Sequence, residues 1–235
     1  MTSRRTPEER AAVRASLAVG LATAVYGVSF GALATLSGLD LWQTCFLSLV
    51  MFTGGSQFAL IGVLASGGLA AGPSAITSAA LLGTRNVFYS VRMSPVVGPG
   101  FWKRTAAAHL TIDESVAVST AQRTPAAQRM GFWVTGVVIY LGWNLTTLIG
   151  ALIGDLMGDV SAYGLDAAAA AAFLGLLWPR LKALQTRAVA VAAAVVAAVL
   201  TPVLVPGLPV LVAAGVAVVV GGFNLFARPA KAGPA

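Results

Sequence analysis

The hydrophobic positions of this chain fall into four long segments that contain no charged residue: 15–39, 41–84, 130–154 and 188–227. A helix that crosses a bilayer needs about 20 mainly apolar residues, because the hydrocarbon core is roughly 30 Å thick. The first and third segments are each long enough for one such helix, and the second and fourth for two. Clusters of glycine and proline within Ser66–Pro73 and Pro202–Pro209 predict turns between the paired helices.

The pattern therefore predicts an all-α fold, a polytopic bundle of about eight transmembrane helices. The predicted helices cover Ser16–Ser37, Leu41–Ala65, Pro73–Met93, Trp102–Ala121, Gly131–Ile153, Leu165–Trp178 and two stretches within 188–227. The fourth could span the membrane, lie at its interface or be an internal helix shielded by its neighbours, because it contains polar residues. Residues 1–15 are expected to form a cytoplasmic N-terminal segment, residues 16–227 the transmembrane bundle and residues 228–235 a C-terminal tail.

Composition and charge support a membrane protein. The chain is 57% hydrophobic and only 10% charged, whereas soluble domains carry about 25% charged residues. Its net charge of +7 is better explained by the excess of basic residues in cytoplasmic loops than by a nucleic-acid partner. Arg4, Arg5, Arg10 and Arg14 precede the first helix and predict a cytoplasmic N-terminus. Eight spans place most other basic loop residues inside, but Lys103 and Arg104 outside.

The residue content argues against several classes of function. Cys45 is the single cysteine and His109 the single histidine, so neither a disulfide nor a metal site is expected. No phosphate-binding loop motif is present, and no cofactor is expected. We expect no enzymatic activity, although an intramembrane enzyme that uses His109 and Asp113 as acid and base is a rival hypothesis. A membrane scaffold and a channel for small solutes are others.

The first candidate site is a polar break inside the second predicted helix, where Gly54, Gly55, Ser56 and Gln57 follow one another. Adjacent glycines weaken a helix, and transporters use such breaks because a half-helix N-terminus offers free N–H groups to an anionic substrate group. Close packing of small residues is the alternative interpretation.

Further candidates are ionisable or amide side chains within apolar segments. Arg85 is costly at membrane depth, which favours a functional site or a buried ion pair. His109 and Asp113 are four residues apart and are expected to share a helical face, where they and Glu114 could bind a proton, a cation or an ammonium group. A salt bridge to Arg85 and a solvated interfacial helix are the alternatives. Asn144 could bind substrate or hydrogen-bond another helix.

Several motifs together resemble the AzlC family, the large subunit of branched-chain amino acid exporters. They are Tyr26–Gly31, Phe52–Phe58, Thr84–Tyr89, Asp113–Ser115, Tyr140–Asn144, Gly164–Asp166, Phe173–Leu174 and Trp178–Lys182. The resemblance covers about residues 16 to 187. One departure is that the family commonly has Asn-x-Arg-His where this chain has Gly83-Thr84-Arg85-Asn86.

The resemblance implies a secondary transporter in the inner (plasma) membrane that exports leucine, isoleucine, valine and in some cases methionine, driven by an ion gradient. It also implies a small hydrophobic partner of the AzlD type. An amino acid needs an acceptor for its ammonium group and donors for its carboxylate. We expect Asp113 or Glu114 to serve the ammonium group, and Arg85 or the break at Gly54 and Gly55 to serve the carboxylate.

Overall fold

A computed structural model describes residues 5–157, 174–175, 177–178, 181–204 and 208–223. Within them every regular element is helical. The α-helices are α1 (Pro7–Ala24), α2 (Tyr26–Leu36), α3 (Leu41–Val50), α4 (Gly55–Gly67), α5 (Gly72–Gly83), α6 (Arg85–Val97), α7 (Phe101–His109), α8 (Asp113–Thr120), α9 (Pro125–Met157), α10 (Leu184–Leu200) and α11 (Leu208–Gly222). The predicted all-α bundle is thus confirmed at the level of secondary structure, while the predicted helix Leu165–Trp178 lies mostly outside the described residues.

The first helix begins at Pro7, nine residues before the predicted start at Ser16. Thr6 caps it: the Thr6 N–H donates to Glu9 Oε2 at 2.7 Å, and the Glu9 N–H donates to Thr6 Oγ1 at 3.2 Å. This reciprocal pair satisfies two N–H groups that the helix end leaves open. The early start was missed because the prediction followed hydropathy, and the first turns of the helix are charged.

Two pairs of helices continue each other through a single helical residue. Val25 (φ −58°, ψ −32°) joins α1 to α2, and Thr84 (φ −57°, ψ −29°) joins α5 to α6. Pro7–Leu36 is consequently one long apolar stretch, and Pro125–Leu156 in α9 is another; both are long enough to cross a membrane.

The joined helices α1–α2 run parallel to α9 and pack against it through glycines. The residue numbers of the contacts rise together along the two helical segments: Gly20 contacts Val138, Gly27 contacts Thr146, Gly31 contacts Thr147 and Ala151, and Gly154 contacts Thr35. Small residues allow helix backbones to approach this closely, which is how helices associate where lipid removes the hydrophobic driving force. We call the side of the bundle where α1 and α9 begin the N-side, and the opposite side the far side.

Helices α3 and α4 form a hairpin that enters the bundle from the far side and returns to it. Along α3, the Ser48 hydroxyl lies 3.3 Å from the Thr147 hydroxyl, and Tyr140 donates to the Leu49 carbonyl at 3.5 Å, so this helix runs against the direction of α9. The end of α4 packs beside Leu39, which directly follows α2. The expected break in the second helix is therefore present, but the expectation that Leu41–Ala65 crosses the bundle is wrong for this structure.

Helices α7 and α8 form a second hairpin of opposite direction. The α5–α6 rod ends on the N-side, where Arg129 Nε donates to the Val96 carbonyl at 3.1 Å. Helix α7 starts there and reaches the middle of the bundle, where Leu110 packs against Gly136. Helix α8 then returns to the N-side, because near its end the Ser119 hydroxyl donates to the carbonyl of Gln128, close to the start of α9, at 2.9 Å. Of the possibilities for Trp102–Ala121, the internal helix shielded by its neighbours describes α8, whereas α7 is exposed along most of its length.

The packing of α1–α2 on α9 predicts a sharp cost for any side chain at Gly31. A β-carbon there would overlap the Thr147 carbonyl and the Ala151 amide, which are backbone groups and cannot rotate away. We expect Gly31→Ala to destabilise the purified protein by about 1–3 kcal/mol, measured by thermal unfolding in detergent. Gly215→Ala in α11 is the control, because no described atom lies within 4 Å of that position; equal loss in both variants contradicts the prediction.

Candidate functional site

The tips of the two hairpins meet at one cavity in the middle of the bundle. The cavity has a volume of about 670 Å³, within the range of small-molecule sites. Its lining contains both tips and the start of α6, contributed by Phe52, Thr53, Gly54, Gly55, Arg85, Ile112, Asp113 and Glu114. Polar groups from opposite sides of the bundle therefore converge on a single space.

An ion pair crosses this space. Arg85 Nη2 lies 3.1 Å from Asp113 Oδ2, and the two side chains are 25% and 29% exposed. Arg85 is the first residue of α6 and Asp113 the first of α8. An acidic side chain at a helix N-terminus is stabilised by the helix dipole, and the neighbouring guanidinium offsets the cost of a charge at this depth. The salt bridge considered as an alternative in the sequence is the arrangement that the structure shows.

Two glycines shape the first tip. Gly54 has φ +56° and ψ −85°, a conformation that L side chains rarely adopt. A β-carbon at Gly55 would lie 2.9 Å from Arg85 Nη2, so the missing side chain lets the guanidinium reach the N-terminus of α4. The arginine and the free end of α4 thus form one positively polarised surface of the cavity.

Gln57 and Ser56 support the first tip from behind. Gln57 is fully buried, and its Oε1 accepts a hydrogen bond of 3.1 Å from the Gly54 N–H. The Ser56 hydroxyl is also buried, 3.5 Å from the point where a Gly83 side chain would begin. Both were predicted to bind substrate, yet neither lines the cavity; Gln57 instead stabilises the start of α4.

Ser115 holds the second tip. Its hydroxyl accepts a hydrogen bond of 3.1 Å from the Ile112 N–H and lies 2.8 Å from the Leu110 carbonyl, to which it donates. Ser115 belongs to the Asp113–Ser115 motif of the sequence, where it was not predicted to have a role of its own. Ser115 lies three residues after Ile112, just as Gln57 lies three residues after Gly54. This spacing of a polar side chain is typical of a helix N-terminal cap, so it could have predicted that a new helix begins after Ile112.

His109 does not share a helical face with Asp113, and that prediction is wrong. Helix α7 ends at His109 and α8 begins at Asp113, so the spacing of four residues does not bring the side chains together on one helix. The His109 ring instead packs against Phe52 and Tyr140, with ring centroids 6.1 Å and 5.2 Å apart. It does not line the cavity.

Asn144 also lies away from the cavity. Its Nδ2 donates to the Tyr140 carbonyl one turn earlier in α9, at 2.7 Å. Trp143, which precedes it, does line the cavity, together with other apolar side chains that the sequence analysis did not select: Phe58, Val63, Leu82 and Ile139. Phe58 and Trp143 pack edge to face at 6.1 Å. The cavity thus combines a charged pair with an apolar wall.

Comparison with protein families identified a match that covers most of the described bundle. The family model described as "AzlC protein" matches residues 18–157, more than half of the chain. The match contains both hairpins, the ion pair and all of α9. Comparison with curated proteins and with solved structures gave no significant match. The motifs beyond residue 157 that resemble the family lie outside the matched range.

The ion pair predicts that Arg85 and Asp113 are coupled in stability. We expect Arg85→Gln and Asp113→Asn each to lower the free energy of unfolding, because each single change leaves a charge without its partner. Adding the second change to either single variant should cost less than making that change in the wild type. The coupling energy should fall within about 0.5–3 kcal/mol in a double-mutant cycle of thermal unfolding.

The matched control for that cycle is Arg85→Gln combined with Asp155→Asn, since Asp155 is exposed at the far end of α9. Additive effects are expected there. Additive effects for Arg85 and Asp113 as well would contradict the pairing.

Proposed function

The chain belongs to the AzlC protein family, and we propose that it is the large subunit of a secondary transporter that exports branched-chain amino acids across the inner membrane. The proposed substrates are leucine, isoleucine and valine, with methionine as a further one, and the proposed driving force is an ion gradient. A small membrane subunit of the AzlD type completes the exporter. The observation that supports the proposal best is the cavity in which an ion pair faces apolar side chains at the tips of two re-entrant hairpins.

The charges of the cavity match an amino acid. Its carboxylate would bind Arg85 and the N–H groups at the start of α4, which lie side by side. Its ammonium group would bind Asp113 or Glu114. A branched side chain would contact the apolar wall that includes Phe58, Ile139 and Trp143. Charge-assisted contacts of this kind contribute about 1.5–3 kcal/mol each, so both charged ends of the substrate matter for affinity.

Binding would exchange one set of ionic contacts for another. Arg85 and Asp113 neutralise each other in the unloaded site, and a zwitterion offers each of them a replacement of the correct sign. A molecule with only one charged end would leave one partner unpaired, which is costly in a partly dry cavity. The geometry therefore supports selection for molecules that carry both groups.

We propose further that the N-side of the bundle faces the cytoplasm. Arg5, Arg10 and Arg14 near the chain start, Lys103 and Arg104 in α7, and Arg123 and Arg129 around the start of α9 all lie on that side, whereas Asp40 and Asp155 lie on the far side. This distribution follows the positive-inside rule. Because the two hairpins return to the side they enter from, Lys103 and Arg104 no longer conflict with the other basic residues.

The hairpins also change the proposed number of spans. The proposed crossings among the described residues are α1–α2, α5–α6, α9, α10 and α11. With the helix that the sequence predicts at Leu165–Trp178, this makes about six spans and two re-entrant hairpins instead of eight spans. With six spans, the sequence order of the basic residues would put Lys182, Arg187, Arg228 and Lys231 on the cytoplasmic side with the others. It supports the predicted cytoplasmic N-terminus.

Efflux from cells loaded with dipeptides tests the transport function. We expect leucine, isoleucine and valine efflux to rise when the chain is expressed with its small subunit and not when either is expressed alone. Asp113→Asn should lower this efflux about tenfold or more, the effect of losing one charge-assisted contact. The measurement is the initial rate of appearance of each amino acid outside the cells.

Asp155→Asn is the control variant and should keep the wild-type rate. Saturation of the rate with internal substrate separates a transporter from a channel. The proposed substrates are wrong if efflux of leucine, isoleucine and valine does not rise in any of these expression conditions. The role of Asp113 is wrong if its variant transports normally at equal expression and equal binding of the small subunit.

Single cysteines introduced into a Cys45→Ala background test the proposed topology. In intact cells, a membrane-impermeant thiol reagent should label Leu69→Cys, in the loop between α4 and α5, and should not label Pro99→Cys, in the loop between α6 and α7. Eight continuous spans predict the reverse at both positions. Ala121→Cys is the control, because it is cytoplasmic in both arrangements and should react only after the membrane is made permeable.

A further inference from the structure

A second cavity lies on the outer surface of the bundle between α6 and α7. Its volume is about 370 Å³. Its walls are mainly apolar and small, with Val87, Val91 and Val97 from α6 and Ala107 and Ala108 from α7. Arg104 is the charged residue of the lining and lies toward the N-side. We call this cavity the α6–α7 groove.

Basic side chains gather at the N-side end of this groove. Arg104 Nε donates to the Gly98 carbonyl at 3.1 Å, and Arg129 Nε donates to the Val96 carbonyl at 3.1 Å. Lys103 Nζ lies 3.9 Å from the point where a Gly98 side chain would begin. The carbonyls occupy only the Nε group of each arginine. Among the residues that the structure describes, no carboxylate pairs with any of these three cations.

Two exposed aromatic residues stand beside the cations. Phe101 and Trp102 begin α7, are 74% and 81% exposed, and pack edge to face with ring centroids 5.1 Å apart. Tryptophan is enriched where a bilayer meets water, since its ring is apolar and its N–H is polar. The aromatic pair therefore places the basic end of the groove at the level of lipid headgroups.

We propose that the α6–α7 groove binds one anionic phospholipid. The phosphate headgroup contacts Arg104, with Lys103 and Arg129 contributing charge, and one acyl chain lies along the valines and alanines. Basic pockets between transmembrane helices recognise anionic headgroups in this way. A free phosphate ion makes no contact with the apolar walls. A zwitterionic lipid such as phosphatidylcholine carries the same phosphate, but its own ammonium group reduces the net attraction to the cluster of cations.

The groove also reaches the second hairpin. Thr111, in the tip between α7 and α8, lies at its inner end and is 2% exposed. An acyl chain in the groove therefore contacts the segment that positions α8. A bound lipid is expected to stabilise this hairpin against α6, because it binds the folded arrangement and not the unfolded chain.

The test is thermal unfolding and native mass spectrometry of the purified chain with added lipid. Phosphatidylglycerol should raise the unfolding temperature above that in phosphatidylcholine and remain bound in the mass spectrum; inorganic phosphate should do neither. Arg104→Gln combined with Lys103→Gln should weaken phosphatidylglycerol binding about tenfold and leave phosphatidylcholine unaffected. Arg123→Gln is the matched control, because Arg123 is exposed on the same side and does not line the groove.

A second variant keeps the test independent of charge. Ala108→Phe fills the groove from an exposed position without removing a hydrogen bond, and it should also reduce retention of phosphatidylglycerol. The proposal is overturned if the two lipids stabilise equally, if the variants bind phosphatidylglycerol like the wild type, or if inorganic phosphate alone reproduces the effect. It is also overturned if the small subunit occupies the groove and excludes the lipid.

Discussion

The close approach of α9 to the α1–α2 rod is the constraint on which the rest of this bundle depends. Helices in lipid gain little from burying apolar surface against each other, so close van der Waals contact must hold them. Glycines at Gly27, Gly31 and Gly154 permit that contact. Helices α3 and α8 pack on α9 as well. The positions of both hairpins, and of the cavity between their tips, thus follow from one parallel helix pair.

A second constraint explains why the tips carry polar residues. Backbone N–H and C=O groups that leave a helix inside a membrane need partners within the protein. Gln57 binds the Gly54 N–H at the first tip, and Ser115 binds the Ile112 N–H at the second. Each tip therefore uses a side chain three residues after the break to begin its second helix. The two hairpins share this device although they enter from opposite sides, as inverted repeats of transporters do.

These hairpins also mark the limit of what hydropathy could predict. The long helices could be predicted from the charge-free segments, and the first break from its adjacent glycines, because length, apolar content and glycine content are local properties of the sequence. Direction is not local: the same apolar length can cross a bilayer or turn back halfway. The second break was hidden because Leu110, Thr111 and Ile112 include no glycine or proline, and the pairing of His109 with Asp113 assumed a continuous helix. Five of the candidate residues line the cavity: Gly54, Gly55, Arg85, Asp113 and Glu114. Ser56, Gln57, His109 and Asn144 do not.

The ion pair connects this architecture to a transport cycle. Arg85 belongs to a rod that crosses the bundle, and Asp113 to a hairpin that enters from the N-side, so their contact joins two parts that must move relative to each other if the cavity opens to alternate sides. Partial exposure of both groups keeps the cost of separating them below that of a fully buried pair. If the proposed zwitterionic substrate binds there, it supplies both missing charges at once, and separation of the pair then costs least when the site is loaded. In the proposed cycle, the residues that bind the substrate therefore also couple its binding to this movement.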